Sequence, residues 1–329
     1  MILPYMLRLL CLCFASFFVL NFAVCLLIRI ASKSALRFAE STAPRAAARF
    51  LIALRVLPFA LATLGVLGLC VPSYFWLEPA STSERVGIVC VALALLGAAT
   101  WSVSIARTAR SLFVSMRYNR LCRSSGQESH LLGEPSPVVL VETEAPLLAM
   151  SGLFRPRLLI SRSVLRALSF EELHAALRHE HAHRTSRDNA KRLLLLLAPD
   201  IFPFVRPLRA LERTWSKFAE WAADDQAASG DSSRAVSLAA ALVHVARMGA
   251  APRLPFLSTS LLARDRDLSA RVDRLLQPAP IIHGPTDLAR KPQAQLRITA
   301  FLFAACLAAI LLTPSTLSAV HKVLELLLH

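Results

Sequence analysis

Residues 177–188, LRHEHAHRTSRD, concentrate histidines and carboxylates within an otherwise apolar sequence. In this stretch, His179, Glu180 and His183 fit the pattern H-E-x-x-H. On a helix, residues four apart share one face, so the two imidazoles can bind the same metal ion. Glu180 can reach a water molecule at that ion without being a ligand itself, and this spacing is typical of zinc metalloproteases. The alternative, at this point, is a solvated helix that is rich in histidine.

A zinc site that cuts peptides needs a third protein ligand and one open position. The segment FAEWAADDQAA, residues 218–228, offers such a ligand in Glu220. Asp224 lies one helical turn further on, where its carboxylate can hydrogen-bond a ligand histidine and fix its orientation. We also expect Arg187 and Asp188, directly after the motif, to form a charged pair that supports the site. The alternative for that pair is an ordinary surface salt bridge.

The elements that must position these residues can be predicted in outline. Residues 137–142, PVVLVE, are short and β-branched, which favours a strand. Residues 152–161 indicate a second strand or a hairpin, with Gly152 and Pro156 as turn or edge residues. Ser169 suits the N-cap of the helix that carries the motif, because two glutamates follow it in the first turn.

The rest of the sequence indicates a membrane protein. Hydrophobic residues make up 55% of the 329 residues. A helix that crosses a bilayer needs about 20 apolar residues, and four windows of that length contain no charged side chain. We predict transmembrane helices at these windows, residues 9–28, 56–77, 86–106 and 298–320. The first window is longer than a secretory signal core and no cleavage site follows it, so we predict a membrane anchor.

The net charge of +15 is concentrated beside these windows. Basic residues follow the first window (Arg29, Lys33, Arg37, Arg45, Arg49, Arg55) and the third (Arg107, Arg110, Arg117, Arg120, Arg123). Because basic residues near helix ends stay cytoplasmic, we expect a multi-pass protein of the cell membrane with its N-terminus outside. We therefore expect the lipid bilayer to be a partner of the protein, and we expect no direct contact with nucleic acid.

The predicted fold class is mainly α, with four transmembrane helices and a cytoplasmic domain that contains a small β-sheet. Residues 1–106 form a membrane domain of three helices, and residues 107–295 form the cytoplasmic domain. The fourth transmembrane helix follows at 298–320, and 321–329 is a short extracytoplasmic tail.

Several segments together resemble the BlaR/MecR family of integral-membrane zinc metallopeptidases. They are FRPRLLIS, SFEELHAALRHEHAHRTSRD, the following FP, EWAADDQAA and LSARVDRLLQP ahead of the last apolar window. The family consists of receptors whose cytoplasmic protease domain triggers the loss of a transcriptional repressor. The resemblance covers residues 1 to about 315. It implies a Zn²⁺ ion held by His179, His183 and Glu220, with Glu180 as the catalytic base and Asp224 in support.

The same resemblance implies a gluzincin-like protease domain whose sheet edge pairs with an extended substrate. We place this edge at residues 152–160, with Gly152, Leu153 and Phe154 as substrate-binding residues, by strand addition. The alternative is that these residues form a purely structural hairpin. The family's receptors carry a sensor domain after the last helix, and this sequence ends at His329 without one, so direct sensing of a β-lactam is not expected.

Three functions follow as hypotheses. The first is a regulatory zinc metalloendopeptidase that cuts a cytoplasmic protein, such as a transcriptional repressor. The second is a membrane quality-control metalloprotease like those of the HtpX group, which share the helix motif and a downstream glutamate. The third is a catalytically silent membrane scaffold.

Overall fold

The computed structural model describes residues 4–78, 86–129, 137–153, 156–199, 206–249, 254–261, 268–277 and 313–328. Long helices form the first part of the chain. They are α1 (Tyr5–Glu40), α2 (Pro44–Gly65), which continues through a π-helical turn (Val66–Cys70) into α3 (Val71–Leu77), and α4 (Ile88–Ser125). Shorter helices and a small sheet follow, so the fold is mainly helical, as predicted.

Three helical segments are long and apolar enough to cross a membrane: Tyr5–Glu40, Pro44–Leu77 and Ile88–Ser125. They contain the first two predicted windows and all of the third except residues 86–87. The fourth window, 298–320, lies outside the described residues except for 313–320. Helix α11 (Pro314–Leu328) begins there and extends through the residues predicted as a tail.

The backbones of the long helices approach one another closely. A Cβ atom at Gly97 of α4 would overlap the carbonyl of Phe14 on α1, so only glycine permits this approach. Helix α11 packs against the π-helical turn and α3, where the Ser73 hydroxyl donates to the Leu317 carbonyl at 2.9 Å. Small residues and a buried hydroxyl therefore join these helices.

A five-stranded mixed sheet follows α4. Its strands are β1 (Gln127–Ser129), β2 (Val138–Val141), β3 (Leu148–Ser151), β4 (Arg157–Ser161) and β5 (Ser258–Ser260). Their order is β1-β2-β4-β3-β5, and only β2 and β4 are parallel. The predicted strand at 137–142 is therefore confirmed as β2.

Residues 157–160 of the predicted substrate-binding edge do not lie at an edge of the sheet. Strand β4 lies between β2 and β3, so both of its sides are already hydrogen-bonded. The outer side of β3 is covered by β5, which comes from a part of the chain more than 100 residues away. The structure instead favours the hairpin alternative, because β3 and β4 are antiparallel neighbours joined through residues 152–156.

The remaining helices surround the metal-binding motif. They are α5 (Arg162–Ala167), α6 (Phe170–Ser186), α7 (Asp188–Leu197), α8 (Arg206–Ala228), α9 (Ser232–Arg247) and α10 (Leu268–Leu276). Helix α6 begins at the predicted N-cap, because the Ser169 hydroxyl accepts from the Glu172 amide and the Glu172 carboxylate accepts from the Ser169 amide. This reciprocal capping box satisfies two backbone donors at the helix start.

Helix α8 has two different neighbours. One side packs on α6 and α9, and the other packs on α1 and α2 through Leu211, Trp215 and Phe218. At the same interface, Arg55 of α2 is buried and its Nε atom lies 2.8 Å from Glu212 Oε1. The helix that carries Glu220 is therefore packed directly against the long helices α1 and α2.

Candidate metal centre

Helices α6 and α8 bring the three predicted ligands together. The Nε2 atoms of His179 and His183 lie 3.1 Å apart. Each lies 3.5 Å from Oε2 of Glu220. The three side chains thus form a buried group that could hold a metal ion.

These distances fit a tetrahedral ion. A zinc ion with ligand bonds of about 2.0–2.1 Å separates neighbouring ligand atoms by about 3.3–3.4 Å. In addition, neither carboxylate oxygen of Glu220 has a hydrogen-bond partner, although both are buried. Buried polar atoms are almost always paired, so an ion between the three side chains accounts for this exception.

Each ligand histidine is oriented by a carboxylate on its other ring nitrogen. Asp224 Oδ1 lies 2.9 Å from His179 Nδ1, so the predicted partners are adjacent, although this contact has the distance of an ion pair without the angle of a hydrogen bond. Asp188 Oδ2 lies 2.7 Å from His183 Nδ1. These contacts direct both Nε2 atoms toward the common point and increase the basicity of the ligands.

The charged pair predicted between Arg187 and Asp188 is not found; Asp188 instead pairs with Lys191, whose Nζ atom lies 2.7 Å from Oδ1. Burial would raise the pKa of Asp188, but His183 and Lys191 hold it below its usual value. Arg187 is exposed and adopts a left-handed backbone conformation, φ 54°, where α6 turns into α7. This turn separates the guanidinium from the carboxylate that follows it in sequence.

Glu180 lies beside the three-ligand group and is fully buried. Its Oε2 atom accepts a hydrogen bond of 3.0 Å from the Met150 amide of β3, and its Oε1 atom has no partner. Burial raises the pKa of Glu180, and the nearby histidines oppose this shift. The carboxylate is thus fixed by the sheet through one oxygen and has the other available to accept a proton.

Arg271 of α10 is a site residue that the sequence analysis missed. Its Nε and Nη2 atoms contact the two oxygens of Asp224 at 2.8 and 2.7 Å, and Nη1 lies 3.4 Å from Glu220 Oε2. Its Nη1 atom also donates to the Leu261 carbonyl at 2.8 Å. The guanidinium therefore holds the carboxylates that α8 supplies to the site.

The charge of Arg271 compensates a concentration of buried negative charge. Burial would raise the pKa of Asp224, but Arg271 and His179 lower it to about 2. Likewise, His183, His179 and Arg271 together hold the pKa of Glu220 well below its usual value, against the effect of burial. Both carboxylates are therefore ionised at neutral pH and available as a ligand and as an acceptor.

A cavity of about 540 Å³ opens beside His183. Two of the predicted substrate-binding residues, Gly152 and Leu153, line it, whereas Phe154 lies outside the described residues. The side chain of Asn189 holds this corner of the hairpin by donating to the Gly152 carbonyl at 3.0 Å. The hairpin thus borders the space next to the metal centre, and its described strands β3 and β4 are each paired on both sides.

Substitution of Asp188 by asparagine tests the orienting contact. We expect metal affinity to fall by about 10- to 100-fold, because His183 loses its charged partner. Competition with a chelator of known affinity measures this change in the purified full-length protein. Asp225→Asn, which alters an exposed carboxylate on α8, is the control. Equal affinities in the Asp188 and Asp225 variants would contradict the assigned role.

No protein-family model matches the chain, and a search of the curated proteins finds no match.

Proposed function

We propose that this protein is a membrane-embedded zinc metalloendopeptidase that hydrolyses peptide bonds of a cytoplasmic protein. The observation that carries this proposal is the buried group of His179, His183 and Glu220 with the carboxylate of Glu180 beside it. Three protein ligands and an adjacent base match the composition of catalytic zinc sites, whereas structural zinc sites have four protein ligands.

The residues of the chain divide the work of hydrolysis. A bound zinc ion supplies Lewis acidity, which lowers the pKa of water and polarises a carbonyl group. Glu180 accepts the proton of the attacking water and returns it to the leaving amine, as a general base and then a general acid. Asp224 and Asp188 keep the two imidazoles in their ligand orientation, and Arg271 keeps Asp224 and Glu220 in place.

The location of the substrate follows from the charge pattern. Basic residues cluster on the parts of α1, α2 and α4 that lie outside the apolar windows. Since such residues stay on the cytoplasmic side, the charge pattern supports a metal centre on the cytosolic side. The resemblance to the BlaR/MecR family favours a regulatory substrate, such as a transcriptional repressor.

The proposal is tested by mapping new protein termini in cells that express the wild-type chain or its Glu180→Gln variant. We expect termini from one cytoplasmic protein, or a few, that occur only with the wild type. Identical sets of termini in both cultures would overturn the proposal. Wild-type-specific termini spread over many membrane proteins would instead indicate an HtpX-like quality-control protease.

The metal content of the purified protein separates an enzyme from a silent scaffold. We expect about one zinc ion per chain, since the structure offers one group of three ligands among its described residues. A protein that binds no divalent metal under these conditions would be the scaffold of the third hypothesis.

A further inference from the structure

The cavity beside His183 has a lining that the metal chemistry does not use. On one side it is apolar, with contributions from Met150, Leu153 and Leu193. His183 belongs both to the cavity lining and to the metal centre. A side chain bound in the cavity would therefore lie next to a peptide bond positioned at the metal ion. Its volume of about 540 Å³ is large enough for side chains of a peptide.

Two residues that line the cavity, Asn189 and Thr259, carry buried polar atoms without partners. The Thr259 side chain is fully buried, and its Oγ1 atom makes no hydrogen bond. Asn189 is 8% exposed, and its Oδ1 atom also lacks a partner, while its amide nitrogen is held by the carbonyls of Met150 and Gly152. An unpaired buried polar group costs free energy. A ligand that supplies a donor to Asn189 and a partner to Thr259 would remove this cost, and a peptide backbone supplies both.

The rim of the cavity is positively charged. Arg184 and Arg187 line it and are exposed, and neither forms an ion pair with another described residue. The one carboxylate in the lining, Asp188, already contacts His183 and Lys191 at 2.7 Å each. The uncompensated charge at the rim is therefore that of the two guanidinium groups, which bind carboxylates through paired hydrogen bonds.

We propose that this cavity is the subsite that receives an aspartate or glutamate side chain of the substrate close to the bond that is cut. The proposal rests on the proposed function and names the substrate class for it. The substrate carboxylate binds Arg184 and Arg187 at the rim. The adjoining backbone amide donates to Asn189, and the Thr259 hydroxyl bonds a backbone group of the same segment.

Peptide libraries with one fixed position test this subsite. The full-length zinc-loaded protein is incubated with libraries in which that position is Asp, Asn, Lys or Ala and the other positions are randomised. New amino termini report cleavage. We expect kcat/KM for the Asp library to exceed that for the isosteric Asn library by about tenfold, the effect of one ion pair of about 1.4 kcal/mol.

Charge reversal supplies the matched comparison. In the variant Arg184→Glu/Arg187→Glu we expect the preference to change from Asp to Lys. The variant Arg166→Glu/Arg247→Glu changes the net charge equally at two exposed arginines that do not line the cavity, and it should keep the preference for Asp. Equal cleavage of the Asp and Asn libraries by the wild type, or equal effects of the two variants, would overturn the subsite.

A binding experiment tests the subsite independently of the proposed catalytic function. Glu180→Gln protein is immobilised, and the peptides that it retains from the randomised library are sequenced. Enrichment of acidic residues that disappears with Arg184→Glu/Arg187→Glu supports the subsite even if the wild type cuts no peptide, an outcome that would remove only the proposed function. Retention without acidic enrichment would overturn the subsite.

Discussion

Peptide hydrolysis is expected to stop when Glu180 is replaced by glutamine, while the metal stays bound. The amide has almost the same volume as the carboxylate, and its oxygen can still accept from the Met150 amide. However, the amide cannot accept a proton from water, and general acid–base catalysis contributes about 10²- to 10⁴-fold to rates. We therefore expect kcat to fall by at least about 10²-fold. The measurement combines peptide turnover by the purified full-length protein with its zinc content.

Glu171→Gln is the control for this change. Glu171 lies on the same helix but is exposed in the first turn, so neither turnover nor zinc content should change. Full activity of the Glu180 variant would remove it from the role of base. Loss of zinc from that variant would instead mean that Glu180 is part of the coordination shell.

Replacing Arg271 with methionine is expected to have the largest effect on stability. Its guanidinium is buried between Asp224 and Glu220, and removal of one partner from a buried ion pair costs about 3–5 kcal/mol. The variant should also bind zinc more weakly, because both carboxylates lose the group that positions them. Thermal unfolding of the detergent-solubilised protein and chelator competition measure the two effects.

The chain offers a matched control on the same two helices. Arg274 of α10 contacts Asp225 of α8 at 2.6 Å, but both side chains are partly exposed. Such surface pairs contribute about 0–1 kcal/mol, so Arg274→Met should unfold close to the wild-type temperature. Arg271→Lys should be intermediate, since it keeps the charge but loses the two-pronged contact. Equal unfolding temperatures for Arg271→Met and Arg274→Met would contradict the role of Arg271.

The parts of the site that could be predicted from the sequence depend on local spacing. His179 and His183 are four residues apart, and so are Glu220 and Asp224, so helical geometry places each pair on one face. The start of α6 at Ser169 is also local, because the capping residues lie three positions apart. In these cases the interacting residues lie within one short segment of the sequence.

The parts that could not be predicted depend on residues far apart in the chain. Arg271 contacts Asp224 across 47 positions, and an arginine in a short amphipathic segment gives no sign of its partner. Similarly, β5 covers β3 from a segment of three polar residues, Ser258–Ser260, which has no strand-like pattern. The sequence feature that comes nearest to predicting Arg271 is the excess of acidic residues at the site. Buried acidic residues need a positively charged partner, which another part of the chain must supply.

The predicted boundary at residue 106 separated the membrane part from the cytoplasmic part by hydropathy alone. In the structure, α1 continues to Glu40 and α4 to Ser125, well beyond their apolar windows. Helix ends depend on capping and packing as well as on hydropathy, and these extensions pack on α7 and α8. A change in hydropathy therefore predicts how far a helix extends into the bilayer. It does not predict where the helix ends or which other helices it packs against.

Helix α8 packs both on the long helices and on the helices around the metal centre, and this arrangement limits how the protein can be truncated and how it can be regulated. A fragment that begins after residue 106 would lack α1 and α2. It would expose Leu211, Trp215 and Phe218 to water and would remove Arg55, the buried partner of Glu212. Deletion of the long helices would therefore not give a soluble domain. Glu212 and Glu220 are separated by only about two turns of continuous helix. A tilt or rotation of α1 and α2 would thus be transmitted to the Glu220 carboxylate through the continuous helix α8.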